Sequence, residues 1–185
     1  MIELLMQNIF PVLVIGFFLL LAGIVILPAF FGAPWHPLSN ATIRHILDFA
    51  EVAPGDKVYD LGSGDGRILI SAAKDYGAEG VGVEIDPVKV WISRLLARMA
   101  GVADRVRVVR GSVYDFDCRS ADVLFLHLTH QMLDKLFPEI QDRLKPSVRI
   151  VCFKFSPRKM SPQKFDGKNL YLYTLAKGRK VNEYS

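Results

Sequence analysis

The chain has 185 residues, of which 51% are hydrophobic, and a formal net charge of +4. That length fits one domain with a sizeable core. Cys118 and Cys152 lie far apart with no C-x-x-C, which argues against a disulfide framework and a zinc site. The four histidines show no ligand spacing beyond His127 and His130, so no metal centre is expected.

Residues 9–33 carry no charged or strongly polar side chain. As one helix they would measure roughly 37 Å, more than a hydrocarbon core of about 30 Å. Glu3 with no basic residue beside it, and so long an apolar run, argue against a cleaved secretory signal. The expectation is an uncleaved single-span membrane anchor over residues 1–33, then one domain over residues 34–185. All 23 Lys and Arg lie at or beyond Arg44, which by the positive-inside tendency places that domain on the cytoplasmic side. A late basic cluster, from Arg158 and Lys159 through Lys164 and Lys168 to Lys180, fits anionic headgroups or a solvated face. There is no aromatic and basic interleaving of an RNA-binding kind, so no nucleic-acid partner is expected.

Ser39 or Asn40 can cap a helix with Ile43, Ile46, Leu47 and Ala50 at helical spacing. Lys57 to Leu61 reads as a first strand, Gly66 to Tyr76 as a helix closed at Gly77, and Gly80 to Glu84 as a second strand. Asp86-Pro87 opens a helix to about Ala100, with Val90, Trp91, Leu95 and Met99 as its expected buried side. Strands follow at Val106 to Arg110 and at the apolar stretch Ala121 to Leu126. A helix over Leu133 to Leu144 and strands at Val148 to Phe155 and Leu170 to Leu175 complete the order. The alternation predicts an α/β fold, a doubly wound and mostly parallel Rossmann-like sheet. Only one late strand is clear; a partner for it would be short, missing or hidden within residues 153–164.

The most telling stretch is Val58-Tyr59-Asp60-Leu61-Gly62-Ser63-Gly64-Asp65-Gly66, followed at strand–helix–strand distance by Val83-Glu84-Ile85-Asp86. An apolar strand ends in an acid, a glycine turn leads into a helix, and the next strand ends in a second acid. In such a sheet the ligand lies beyond the carboxyl ends of the strands. Glu84 sits where a carboxylate can accept both hydroxyls of a ribose. The glycines run G-x-G-x-G, with Arg67 where a dinucleotide fingerprint wants a third glycine. Asp60 would repel a pyrophosphate but suits an ammonium.

These residues resemble class I S-adenosylmethionine-dependent methyltransferases. The resemblance implies S-adenosyl-L-methionine as cofactor, held by Asp60, Gly62, Ser63, Gly64, Gly66, Glu84 and Ile85. Ser112, Val113 and Asp115 stand at the position implied for adenine. The wider pattern, with Lys57 to Ile68, the Val90 to Arg94 helix, Leu128-Thr129 with Met132-Leu133, and Leu170-Tyr171-Leu172-Tyr173, is similar to one subfamily. It comprises the small archaeal protein-lysine methyltransferases and the mitochondrial enzymes that modify adenine nucleotide translocase and the ATP synthase c-subunit. The resemblance covers about residues 33 to 176.

A lysine of a membrane-associated protein is therefore the expected acceptor. Methyl transfer is an in-line displacement, so the protein must mainly position the nucleophile within about 3–3.5 Å of the methyl. A lysine must also shed a proton from a group whose free pKa is about 10.4. His127 and Thr129, past the fourth strand, are the candidate catalytic residues; imidazole titrates near neutrality. Trp35, His36 and Pro37 are expected on the substrate side. Competing readings are a methyltransferase for a small amphiphile, such as a lipid headgroup or quinone precursor, and a cofactor-binding scaffold without turnover.

Overall fold

The computed structural model describes residues 38–175, together with residues 9, 11–21 and 23. The chain divides into two units, Met1–Pro37 and Leu38–Ser185.

In the first unit the described residues 9, 11–21 and 23 are helical. Among the described residues no helix is long and apolar enough to cross a membrane. This corrects the expected transmembrane anchor. The membrane partnership and the single-pass topology with a cytoplasmic domain rested on that span and fall with it. The rest of the expected span, residues 10, 22 and 24–33, lies outside the described residues.

The second unit is built on one seven-stranded sheet. Its strands are β1 (Lys57–Leu61), β2 (Glu79–Glu84), β3 (Val106–Arg110), β4 (Val123–Leu126), β5 (Arg149–Phe153), β6 (Lys164–Phe165) and β7 (Leu170–Thr174). The spatial order is β3-β2-β1-β4-β5-β7-β6. The pairs among β1 to β5 are parallel; β7 runs antiparallel to both β5 and β6. The doubtful late hairpin is therefore real, with β6 only two residues long.

Four helices clothe the sheet: α1 (Asn40–Phe49), α2 (Arg67–Tyr76), α3 (Pro87–Met99) and α4 (His130–Ile140). Side chains alternate along each strand and so choose a face. Val58, Phe125, Val151 and Phe153 pack with Ile46 of α1, Leu69 of α2 and Val90 of α3. Tyr59, Leu61, Leu124, Leu126 and Cys152 pack with Leu133, Leu136 and Ile140 of α4. β4 is buried throughout, as a central parallel strand covered on both faces must be.

Local chemistry sets the boundaries. Ser39 Oγ accepts the Thr42 N–H (3.1 Å) and starts α1. Asp86 caps α3, with Pro87 at its first position. Thr129 caps α4, which therefore begins three residues before the expected Leu133. Pro138 lies inside α4, and a 3₁₀ turn over Gln141–Arg143 ends it early.

α3 shows the clearest departure from expectation. It buries Val90, Ser93 and Ala97, while Trp91 is 65% and Met99 75% exposed. Leu95 is also exposed. Ser93 faces inward against Gly66 of the glycine loop, and Ala97 packs on Ala73 of α2 and Val102. Gly80 and Gly82 do the same for α2: a β-carbon on Gly82 would stand 2.6 Å from Leu69 Cδ1.

Candidate cofactor and acceptor site

β1 and β2 end side by side, with Asp60 opposite Gly82 and Leu61 opposite Val83. The chain then turns through Gly62, Gly64 and Gly66 at φ of +89°, +56° and +76°. Alternate residues in the left-handed region explain the G-x-G-x-G spacing, since a β-carbon opposes that conformation. The loop folds back on β2: the Gly62 and Ser63 N–H groups both donate to Val83 O. The Gly64 N–H donates to Glu84 Oε2 (2.9 Å), and the Asp86 N–H to Glu84 Oε1 (3.0 Å). Glu84 thus holds the loop and the start of α3 while standing at the strand end.

Asp60, Asp65 and Glu84 are 4%, 7% and 6% exposed, so three carboxylates share one buried edge. Asp65 is matched by Arg67, whose Nε lies 2.9 Å from Oδ1 and 3.0 Å from Oδ2. Arg67 Nη1 also donates to Leu38 O (2.6 Å), tying the approach to α1 onto the glycine loop. Sequence reasoning registered Arg67 only as a missing glycine. The signal for its role was the acid two residues before it. Burial first, then the charges of Glu84 and Asp65, push the Asp60 carboxyl well above the usual carboxylate range. An edge so short of positive charge suits a cationic ligand. The Ser63 hydroxyl is buried without a hydrogen-bond partner.

The other predicted positions are placed as follows. Ile85 is 67% exposed at the same edge. Ser112 follows β3 by two residues and its hydroxyl accepts the Tyr114 N–H (3.2 Å). Val113 is half-buried and packs against the α4-side core, whereas Asp115 is exposed. Thr129 Oγ1 accepts the Met132 N–H (3.4 Å) as the cap of α4. Trp35, His36 and Pro37 lie outside the described residues.

His127 directly follows β4. Its ring meets Phe153 edge to face, with centroids 5.0 Å apart and planes at 79°. His130 repeats the arrangement on Phe155 (5.0 Å, 71°), and its Nδ1 lies 2.7 Å from Ser156 O. Two histidine–phenylalanine contacts therefore clamp the segment after β5 onto the segment after β4. Leu128 Cδ2 comes within 3.4 Å of where a β-carbon on Gly62 would lie, so the clamped segment borders the glycine loop. Phe153 was not singled out in the sequence; its register position beside His127 was the available signal.

Residues 60–164 match the family described as the ANTKMT methyltransferase domain. A protein-lysine N-methyltransferase of Saccharolobus islandicus is 34% identical over 150 residues, 77% of this chain and 93% of the relative. The ATP synthase c-subunit lysine N-methyltransferase of Xenopus laevis is 29% identical over 153 residues, 81% of this chain and 67% of the relative. Among solved structures, an RNA methyltransferase from Salinibacter ruber in complex with S-adenosyl-L-homocysteine is 35% identical, with a TM-score of 0.76. It is matched along 100% of its length by 80% of this chain.

The residues at this edge fit S-adenosylmethionine. A β-carbon on Gly64 would meet nothing within 4 Å, which leaves open space over the loop beside the Glu84 carboxylate. The unbalanced acids offer partners to an ammonium and a ribose rather than to a phosphate. The chain belongs to the ANTKMT methyltransferase domain family, and it is an S-adenosylmethionine-dependent methyltransferase of class I fold.

Proposed function

We propose that the enzyme methylates a lysine amine of a protein substrate. The observation that carries this reading is the match to the Saccharolobus islandicus protein-lysine N-methyltransferase along 93% of that protein's length. The similarity to the ATP synthase c-subunit enzymes supports it and favours the archaeal and mitochondrial branch of the family.

When bound, the cofactor supplies a methyl group already activated on a positive sulfur. The roles left to this chain are binding, orientation and control of one proton. Glu84 takes the ribose hydroxyls with the lone pairs its two backbone N–H donors leave open. Asp60 faces the methionine ammonium, and the backbone of Gly62 to Gly66 forms the floor. Ile85, Ser112, Val113 and Asp115 would hold the adenine. His127 lies on the acceptor side, where it orients the incoming amine or accepts its proton. Thr129 supports it by fixing the start of α4.

Purified enzyme is incubated with methyl-labelled cofactor and a cell extract, then divided for protease, ribonuclease and solvent extraction. Label in protein, recovered as methyllysine after hydrolysis, is the expected result. The Salinibacter ruber relative is described as an RNA methyltransferase, so ribonuclease-sensitive label would replace the lysine reading with RNA. Label in the organic phase would point instead to a small amphiphile.

A further inference from the structure

Lys154 has a φ of +65°, in the left-handed region that non-glycine residues seldom enter. Glu51, the other non-glycine residue described there, simply ends α1: the Val52 N–H closes the helix on Leu47 O. Lys154 ends no helix. It follows the last residue of β5, and its N–H still donates to Asn169 O (2.8 Å). Its side chain returns over its neighbour, with Nζ 5.8 Å from the centroid of the Phe153 ring, within cation–π range. The same ring meets His127. An exposed cation therefore lies over the ring that borders the residue assigned above to the acceptor side.

We propose that the Lys154 ammonium lowers the pKa of the incoming substrate lysine, so that the amine sheds its proton near neutral pH. This rests on the lysine reading above. A free lysine, with pKa about 10.4, is neutral in only about one molecule in a few thousand at pH 7. A like charge within about 4–6 Å disfavours the charged form, and a neighbouring cation is a known means of activating a lysine nucleophile. Lys154 is exposed, so water screens its charge on the outer side, while the Phe153 ring, 5% exposed, shields it on the inner one. One proton leaves the substrate ammonium for water. The freed lone pair forms the new N–C bond, and the C–S bonding pair returns to sulfur. No further reactant is required.

The neighbouring elements leave this charge unopposed. His127 comes from the end of β4 and His130 from the start of α4, its Nδ1 against Ser156 O. The turn before β7 brings Lys168 and Asp166, and Asp166 is already engaged by His45 and by the N–H groups of Lys168, Asn169 and Leu170. Arg158 is turned to Asp134.

The test compares Lys154→Gly, Lys154→Met and Lys154→Arg in the full chain, using a lysine peptide that the wild type methylates. Glycine accepts the backbone conformation, so thermal unfolding of that variant should match or exceed the wild type. At pH 7, kcat/KM should fall about tenfold in the Gly and Met variants, one pKa unit on the amine. The deficit should close as the pH rises to about 9.5, and Lys154→Arg should keep the wild-type profile. Without cofactor, calorimetry should show the peptide binding severalfold tighter to the Met variant, because a repulsion is gone. A Gly variant with wild-type pH profile and peptide affinity overturns the proposal. A wild type that methylates RNA or lipid but no lysine peptide removes the lysine reading, and this proposal with it.

Discussion

Gly66 and Ser93 are in contact: a β-carbon on Gly66 would stand 2.0 Å from Ser93 Oγ and 3.1 Å from Ser93 Cβ. The first residue of the turn into α2 thus rests on the buried face of α3. Gly66→Ala must displace Ser93 and also hold alanine at a φ of +76°. A loss of about 2–4 kcal/mol is expected from overpacking and backbone strain together. Adding Ser93→Gly should restore the steric share and leave about 1 kcal/mol of strain. Denaturant titration of the two single variants and the double variant checks this. Additive losses would show that the contact does not govern the packing.

Asp60 is buried at the expense of stability. Its folded pKa lies above the unfolded value, so the protonated carboxyl is the form the fold favours. Its favourable contribution is complete below about pH 4 and is lost as the pH rises through the folded pKa. Asp60→Asn should therefore stabilise the cofactor-free protein at neutral pH, with a gain that grows as the pH rises from about 4 through the folded pKa of Asp60. The same variant should bind the cofactor more weakly. Thermal melts at several pH values, with and without cofactor, read both effects. A gain that shrinks as the pH rises would reverse the assignment.

Glu84→Ala removes a carboxylate that already accepts two backbone N–H groups. Cofactor affinity should fall about 10- to 150-fold, the equivalent of one charge-assisted hydrogen bond at roughly 1.5–3 kcal/mol. Isothermal calorimetry measures it directly. An unchanged affinity would take Glu84 out of the ribose site.

Asp166 organises the turn between β6 and β7. Burial opposes its ionisation, but the N–H groups of Leu170, Lys168 and Asn169, with His45, hold its pKa down at about 2. The depressed value means its contribution is present above about pH 4 and lost as the pH falls through 2. Asp166→Ala leaves backbone donors without their acceptor and should cost about 1–3 kcal/mol at pH 7. Below about pH 2 the variant and the wild type should converge. A cost unchanged by acid would mean that the charge is immaterial.

Much of this molecule was legible in its residues. The bounds of β1 and β3 could be read because each is a short run of alternating apolar residues between turn residues. The Asp60 and Glu84 edge was visible because acids close two successive apolar strands. The buried face of α3 was not. Hydropathy favours Trp91 and Met99, whereas the fold buries Ser93 against Gly66 and Ala97 against Ala73 of α2. The apolar N-terminal run suggested a span from composition alone, and among the described residues no helix is long and apolar enough to make one. β6, at two residues, is too short for any periodicity. The left-handed turn at Lys154 leaves no local sign, since lysine is not a residue chosen for that conformation. Such a choice is dictated by what lies around it, and only the assembled sheet shows that.

β7 reaches the sheet last yet lies inside it, between β5 and β6. On the ribosome, Asp60, the glycine loop, Glu84 and all of β3 have been made by Gly111, and that parallel half can begin to collapse. The other half must wait. β5 has no antiparallel neighbour, and Lys154 no Asn169 carbonyl, until the stretch up to Thr174 has left the exit tunnel. A nascent chain thus completes the edge bearing Asp60 and Glu84 well before the wall bearing Phe153. The order of synthesis keeps the β5–β7 pairing from forming until Thr174 has been made.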